Sequence, residues 1–252
     1  MKTLINRSGF TLAEVLITLG VIGVVAALTI PTLSQNATDR EIVSRTKKVY
    51  ATLVNAYKLA EQENGTPDKW GMTGANDTSD EILINTLKPY LQVSIDCSVT
   101  GTKGCYKANQ MYKYLNGGNM SVLDDGGKSL LLADGTSMSA GCIWSRCVSG
   151  SMGSTTALKN VCGVIRADVN GFKGPNIQGK DFFQFWLTKY GVIPMGSQAE
   201  TGSPFIGYCL NSSGTFNTGQ SCVAWVLYNE NLDYMKCPVS LKNGWNGPST
   251  CG

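Results

Sequence analysis

Gly9-Phe10-Thr11-Leu12-Ala13-Glu14-Val15-Leu16 opens an apolar run that continues through Ile30 and stops at Pro31. A run of about twenty residues is long enough to cross the hydrocarbon core of a bilayer as a helix. Its single charge is Glu14, one turn inside the segment. An ionised carboxylate is costly there unless something pairs with it, so the sequence implies a partner for Glu14. Ahead of the run, Met1-Lys2-Thr3-Leu4-Ile5-Asn6-Arg7-Ser8 holds two cations and no acid. Positive residues beside a membrane segment favour the cytoplasmic side, which places the rest of the chain outside.

The helical period continues beyond Pro31. Ile42, Thr46, Val49, Leu53, Ala56, Tyr57 and Ala60 share one face, with Arg40, Lys47, Lys48, Asn55, Lys58 and Glu61 largely elsewhere. Joined to the membrane run, residues 10–63 are expected to form one helix about 80 Å long. Asn64-Gly65-Thr66-Pro67 ends it. Gly20, Gly23 and Pro31 are its weak points, at about 1 kcal/mol per glycine and about 3 kcal/mol for proline in an isolated helix. Small residues also suit helix packing in a membrane.

The leader and the start of the run resemble the class III leader of type IV prepilins and type II secretion pseudopilins. The resemblance implies that a prepilin peptidase cuts after Gly9 and methylates the new amino terminus, Phe10. It also implies that Glu14, fifth in the cut chain, pairs in a filament with the terminal ammonium of a neighbouring subunit. Electrostatics agrees, because a protonated α-amino group is a second buried charge unless a carboxylate lies beside it. The competing reading is an ordinary secretory signal or a plain membrane anchor. A cleavable signal has a shorter apolar core followed by a small-residue site, and no reason to carry a carboxylate inside it. The expected organisation is a leader at 1–9, a helix at 10–63 with 10–30 in the membrane, and an exported domain at 64–252.

Removing the leader leaves about 240 residues, enough for one soluble domain with a real core. A net charge of +3 with 15% charged residues and no basic cluster sets nucleic-acid binding aside. All nine cysteines lie in the part expected outside the cytoplasm, and nine are many for a reducing compartment. Cys97 with Cys105, Cys209 with Cys222, and Cys237 with Cys251 each close a small loop and are expected as disulfides. Spacing alone does not fix connectivity, and Cys142, Cys147 and Cys162 leave one thiol over. A zinc site is disfavoured by the absence of histidine and of any Cys-x-x-Cys pair.

Residues 64–80 read as a loop, and Ser79-Asp80-Glu81 as the start of a helix with Ile82, Leu83, Leu87 and Leu91 on its apolar side. Residues 92–128 carry no assignable pattern. Lys128–Ala133 and Thr136–Met138 read as strands around Asp134-Gly135, a strong hairpin signal. Cys162–Val169, Asp181–Leu187 and Val192-Ile193 follow as strands, and Ser221–Asn231 as a helix in a loop-rich, cysteine-bearing end. The expected fold is α+β: a long amino-terminal transmembrane-plus-amphipathic helix packed on an antiparallel sheet with disulfide-bearing loops. Each of those elements has an apolar face to cover. It is the pilin-like architecture that the resemblance implies.

Asp168-Val169-Asn170-Gly171-Phe172-Lys173-Gly174-Pro175-Asn176, with Asp181 after it, resembles a segment of pilin-like globular domains. The density of Asp, Asn and Gly makes a stiff turn system. The sharper alternative is calcium held by Asp168, Asn170, Asp181 and main-chain carbonyls, as some pseudopilins hold it, but the spacing departs from an EF-hand loop. Trp225, Tyr228, Tyr234 and Trp245 read as core packing, with an exposed aromatic binding surface as the alternative. Without histidine there is no Ser-His-Asp or Cys-His arrangement. Gly127-Lys128-Ser129 lacks the first glycine of a phosphate loop, since Val122 stands there, and Ser44-x-x-Lys47 lacks its companion motifs.

The expected function is therefore structural, not enzymatic, with no cofactor and no metal. The resemblance implies a subunit of a type IV pilus-like or secretion pseudopilus filament. It would begin as an inner-membrane precursor and end in a periplasmic or extracellular fibre. Its partners would be other pilin subunits, the prepilin peptidase, the membrane and an inner-membrane assembly platform. The alternatives are a minor tip subunit acting as a binding module, and a signal-anchored secreted domain that never polymerises.

Overall fold

The computed structural model describes residues 11–98, 104–106, 112–120, 128–148, 152–210 and 217–251. The chain divides into two compact units, one up to Arg40 and one from Glu41 onward. Helix α1, Leu12–Asn64, contributes residues to both. In the first unit its apolar side chains stand exposed, Leu16, Ile17 and Leu28 among them. This segment is long and apolar enough to cross a membrane.

In the second unit the polarity of α1 becomes one-sided. Ile42, Thr46, Val49, Leu53, Ala56, Tyr57 and Ala60 are all buried, as their spacing predicts. They pack on a six-stranded, wholly antiparallel sheet whose spatial order is its chain order. The strands are β1 Val93–Asp96, β2 Ser129–Leu132, β3 Ser137–Cys142, β4 Val161–Asp168, β5 Phe182–Thr188 and β6 Gly191–Pro194. Tyr50 stacks on Phe185 at 6.0 Å between ring centroids. Tyr57 Oη donates to the Lys189 carbonyl at 2.7 Å, tying the helix to the β5–β6 turn.

Strand β5 is buried along its whole length, which explains its unbroken Phe-Phe-Gln-Phe-Trp-Leu run. On the side opposite Phe185, Phe182 meets Tyr112, Gln184 Nε2 donates to Gln178 Oε1 at 3.1 Å, and Trp186 packs near Trp144. Loops therefore cover the second face of the sheet. The β2–β3 hairpin turns at Asp134-Gly135, where Asp134 Oδ1 accepts from Thr136 N at 3.1 Å and Gly135 takes φ 86°.

Helix α2, Asp77–Leu87, begins two residues before the expected start. Asn76 is its cap, with Oδ1 accepting from Ser79 N at 2.9 Å, while Ser79 itself is buried and its hydroxyl accepts from Thr73 N. Asp80 then reaches the sheet, accepting from Cys142 N at 2.6 Å. The expected carboxy-terminal helix is present in shorter form as Val223–Asn229. Four disulfides join Cys97–Cys105, Cys147–Cys162, Cys209–Cys222 and Cys237–Cys251. Cys142 is left as a buried thiol.

Candidate functional site

Glu14 sits in the first turn of α1. Thr11 precedes the helix, and its carbonyl accepts from Val15 N at 3.2 Å. The side chains of Thr11 and Glu14 then serve each other: Thr11 N and Oγ1 both donate to Glu14 Oε2 at 2.8 Å, and Glu14 N donates to Thr11 Oγ1 at 3.3 Å. This is a capping box, in which threonine and glutamate three residues apart satisfy each other's free backbone donors. The signal for it, Thr-x-x-Glu ahead of an apolar run, stands in the sequence, where the charge alone had drawn attention.

Both bonds from Thr11 fall on one carboxylate oxygen. Glu14 Oε1 has no partner among the described residues and faces no cation there. The arrangement thus shapes the helix start and leaves an acceptor open at the edge of an uncovered apolar surface. Gly9 and Phe10 lie outside the described residues.

The family described as the prokaryotic N-terminal methylation motif matches residues 4–30. This is the prepilin signature. It is shared by type IV pilins and pseudopilins, and with the α+β architecture it makes the chain pilin-like. No curated protein and no solved structure matches the chain. The prepilin motif and the apolar helix together fit a membrane-anchored precursor, and the motif points to a structural role.

Beyond the prepilin motif, the second group singled out in the sequence comes together as a buried turn. Asp168 and Asp181 are both fully buried. Asp181 Oδ1 accepts from Ile177 N at 2.6 Å and Oδ2 from Asn176 N at 2.9 Å. Asp168 Oδ2 accepts from Tyr112 Oη at 2.5 Å, and Oδ1 from Asn170 N at 3.3 Å. With its amide nitrogen turned toward Asp168, Asn170 donates to Asp168 Oδ1 at 2.7 Å and to the Lys173 carbonyl at 3.2 Å. The carboxylate oxygens thus face N–H and O–H donors, and the cluster organises backbone. Burial pushes Asp168 up to about 8, helped by the nearby Asp181 and opposed by the Tyr112 bond, and burial raises Asp181 as well. Gly171 closes the turn at φ 60°, where a Cβ would lie 2.0 Å from the Gly135 carbonyl oxygen.

The aromatic group divides. Trp225 and Tyr234 belong to the core, the latter donating from Oη to the Gly179 carbonyl at 2.5 Å, so a binding surface built from all four rings is ruled out by burial. Tyr228 is exposed and Trp245 lies between the two states.

Glu200 was not distinguished in the sequence. It is buried, with Oε1 accepting from Trp186 Nε1 at 2.9 Å and Oε2 from Gly196 N at 2.7 Å. Burial pushes it up to about 7, against the pull of those donors. Between its ordinary value of 4.5 and about 7, the folded chain holds a proton that the unfolded chain releases. Its contribution to stability is complete below that window and is lost as pH rises through it. Guanidinium unfolding of the full chain at a series of pH values checks this. Glu200→Gln should flatten the fall in midpoint between about pH 5 and 7; an unchanged slope would count against it.

Proposed function

We propose that the chain is a structural filament subunit of the type IV pilus or pseudopilus class. The leader, residues 1–9, is removed by a prepilin peptidase after Gly9, and the new amino terminus at Phe10 is methylated. The observation that carries this reading is the prepilin motif at residues 4–30, which runs directly into an apolar helix with uncovered side chains. Such a surface is unfavourable in water and calls for a cover. Lipid supplies it while residues 10–30 span the inner membrane, and the helices of other subunits supply it after extraction into the fibre.

Glu14 fits both stages. Among the described residues Thr11 holds one of its oxygens and none holds the other, which suits it to the ammonium of a neighbouring Phe10. That pairing sets the axial stagger between subunits and relieves two charges in an apolar setting at once. The exported domain, residues 64–252 packed on the exposed half of the helix, forms the fibre surface. Its four disulfides suit an oxidising periplasm or exterior. The work of assembly comes from an assembly ATPase and a membrane platform and not from this chain. The mass of the mature amino terminus tests the reading.

A further inference from the structure

A cavity of about 410 Å³ lies between the end of β6, the turn at 155–158, the short helix Val223–Asn229 and the turn carrying Trp245. Part of its lining is apolar: Leu158, Ile193 and Ala199, with the rings of Tyr228 and Trp245. Those rings meet edge to face, 5.8 Å apart at 86°. Tyr228 is 67% exposed, although a ring of that size is ordinarily drawn inward. The rest of the lining is Thr155, Ser197 and Gln198, which are polar and uncharged.

The walls of the cavity are held in place. Trp245 Nε1 donates to the Gly196 carbonyl at 3.0 Å, and the Cys237–Cys251 disulfide closes the loop that carries Trp245. The turn bearing Ser197 is pinned by the Glu200 carboxylate through Gly196 N. A site fixed before binding loses little order on taking up a ligand.

The lining also selects the chemistry. No charged side chain lines the cavity, so an ionic ligand would lose its hydration without a counter-charge. A purely apolar ligand would strip water from Thr155 and Gln198 and return nothing to them. The fitting ligand is compact, neutral and two-sided, with C–H groups for the rings and hydroxyls for the polar side chains. We propose that this cavity binds one neutral hexopyranoside unit, laid with its C–H face on the exposed Tyr228 ring, against the Trp245 ring that stands nearly perpendicular to it, and with its hydroxyls toward Gln198 and Thr155. Assembly into filaments is not required for this binding, so the two readings stand or fall separately.

The test is saturation-transfer NMR on the full chain in lauryldimethylamine oxide, a detergent without a sugar headgroup. The probes are the methyl α- and β-glycosides of glucose, galactose and mannose, and N-acetylglucosamine. The expected result is saturable millimolar binding of at least one of them. Tyr228→Ala should weaken it about tenfold or more. Gln198→Ala, at an exposed lining position, should also weaken it while leaving the thermal midpoint unchanged. Absence of saturable binding by every sugar overturns the proposal, as does full affinity in either variant. Binding of phenylalanine amide in the cavity with no sugar bound would also overturn it, and would assign the cavity to a peptide.

Discussion

Glu14→Gln is expected to insert in the membrane normally and to lose filament assembly, with recovery of sheared filaments reduced about tenfold or more. Glutamine is the more informative replacement because it can still occupy the last position of a capping box, so the start of α1 is preserved. Only the charge disappears. If capping by Thr11 were the whole role of Glu14, Glu14→Gln would assemble as well as the parent and Glu14→Ala alone would fail. If the open oxygen Oε1 receives an ammonium from a neighbour, both variants fail alike. Membrane fractionation and recovery of filaments from the same cells separate the two cases. Normal assembly of Glu14→Gln would refute the pairing role.

The second large effect is expected inside the compact unit that begins at Glu41. Asp181→Ala removes the acceptor for two backbone donors, Asn176 N and Ile177 N, in a setting without exposure. Bonds to a carboxylate contribute about 1.5–3 kcal/mol each, so the variant should lose about 3–5 kcal/mol. That is a large fraction of the stability of a domain, which is about 5–15 kcal/mol. Asp181→Asn keeps one acceptor oxygen and should lose roughly half as much. Phe172→Ala, in the same segment but at a half-exposed position, should stay within about 1 kcal/mol of the parent. Guanidinium unfolding followed by tryptophan fluorescence measures all three. An Asp181→Ala chain as stable as the parent would show that the turn is held by other means.

Much of this fold was legible because single residues carried unambiguous signals. The apolar face of α1 from Ile42 to Ala60 obeys the helical period and is buried without exception among its seven named positions. Asp134-Gly135 turns where such a pair should, and Asp181–Leu187 reads as a strand because both its faces are covered. The missed strand was β1. Val93–Asp96 is a four-residue edge strand with only two apolar side chains, too short to show a period. The start of α2 was misplaced because Ser79 has the chemistry of a cap, yet Asn76 occupies that position and Ser79 turns inward. Both choices use the same kind of side chain, and only packing distinguishes them.

The candidate sites were legible to different depths. Glu14 stood out as a charge in an apolar run, while its bond to Thr11 was hidden behind the more conspicuous charge. The Asp168–Asp181 segment announced a turn through its composition, but which donors its oxygens would face depends on Tyr112, more than fifty residues earlier. Glu200 carried no local signal, because its burial comes from Trp186 and Gly196 folding over it. The Tyr228–Trp245 cavity is built from four separate segments and has no counterpart in any one stretch of sequence.

The central claim is that the amino-terminal stretch is processed and then used for assembly, and intact mass spectrometry of the chain from its native membrane tests it most directly. The account predicts a mature protein that begins at Phe10, lacks residues 1–9 and carries one methyl group on its terminal nitrogen. A chain that keeps its leader, is cut at another site, or begins at an unmodified Phe10 would contradict it.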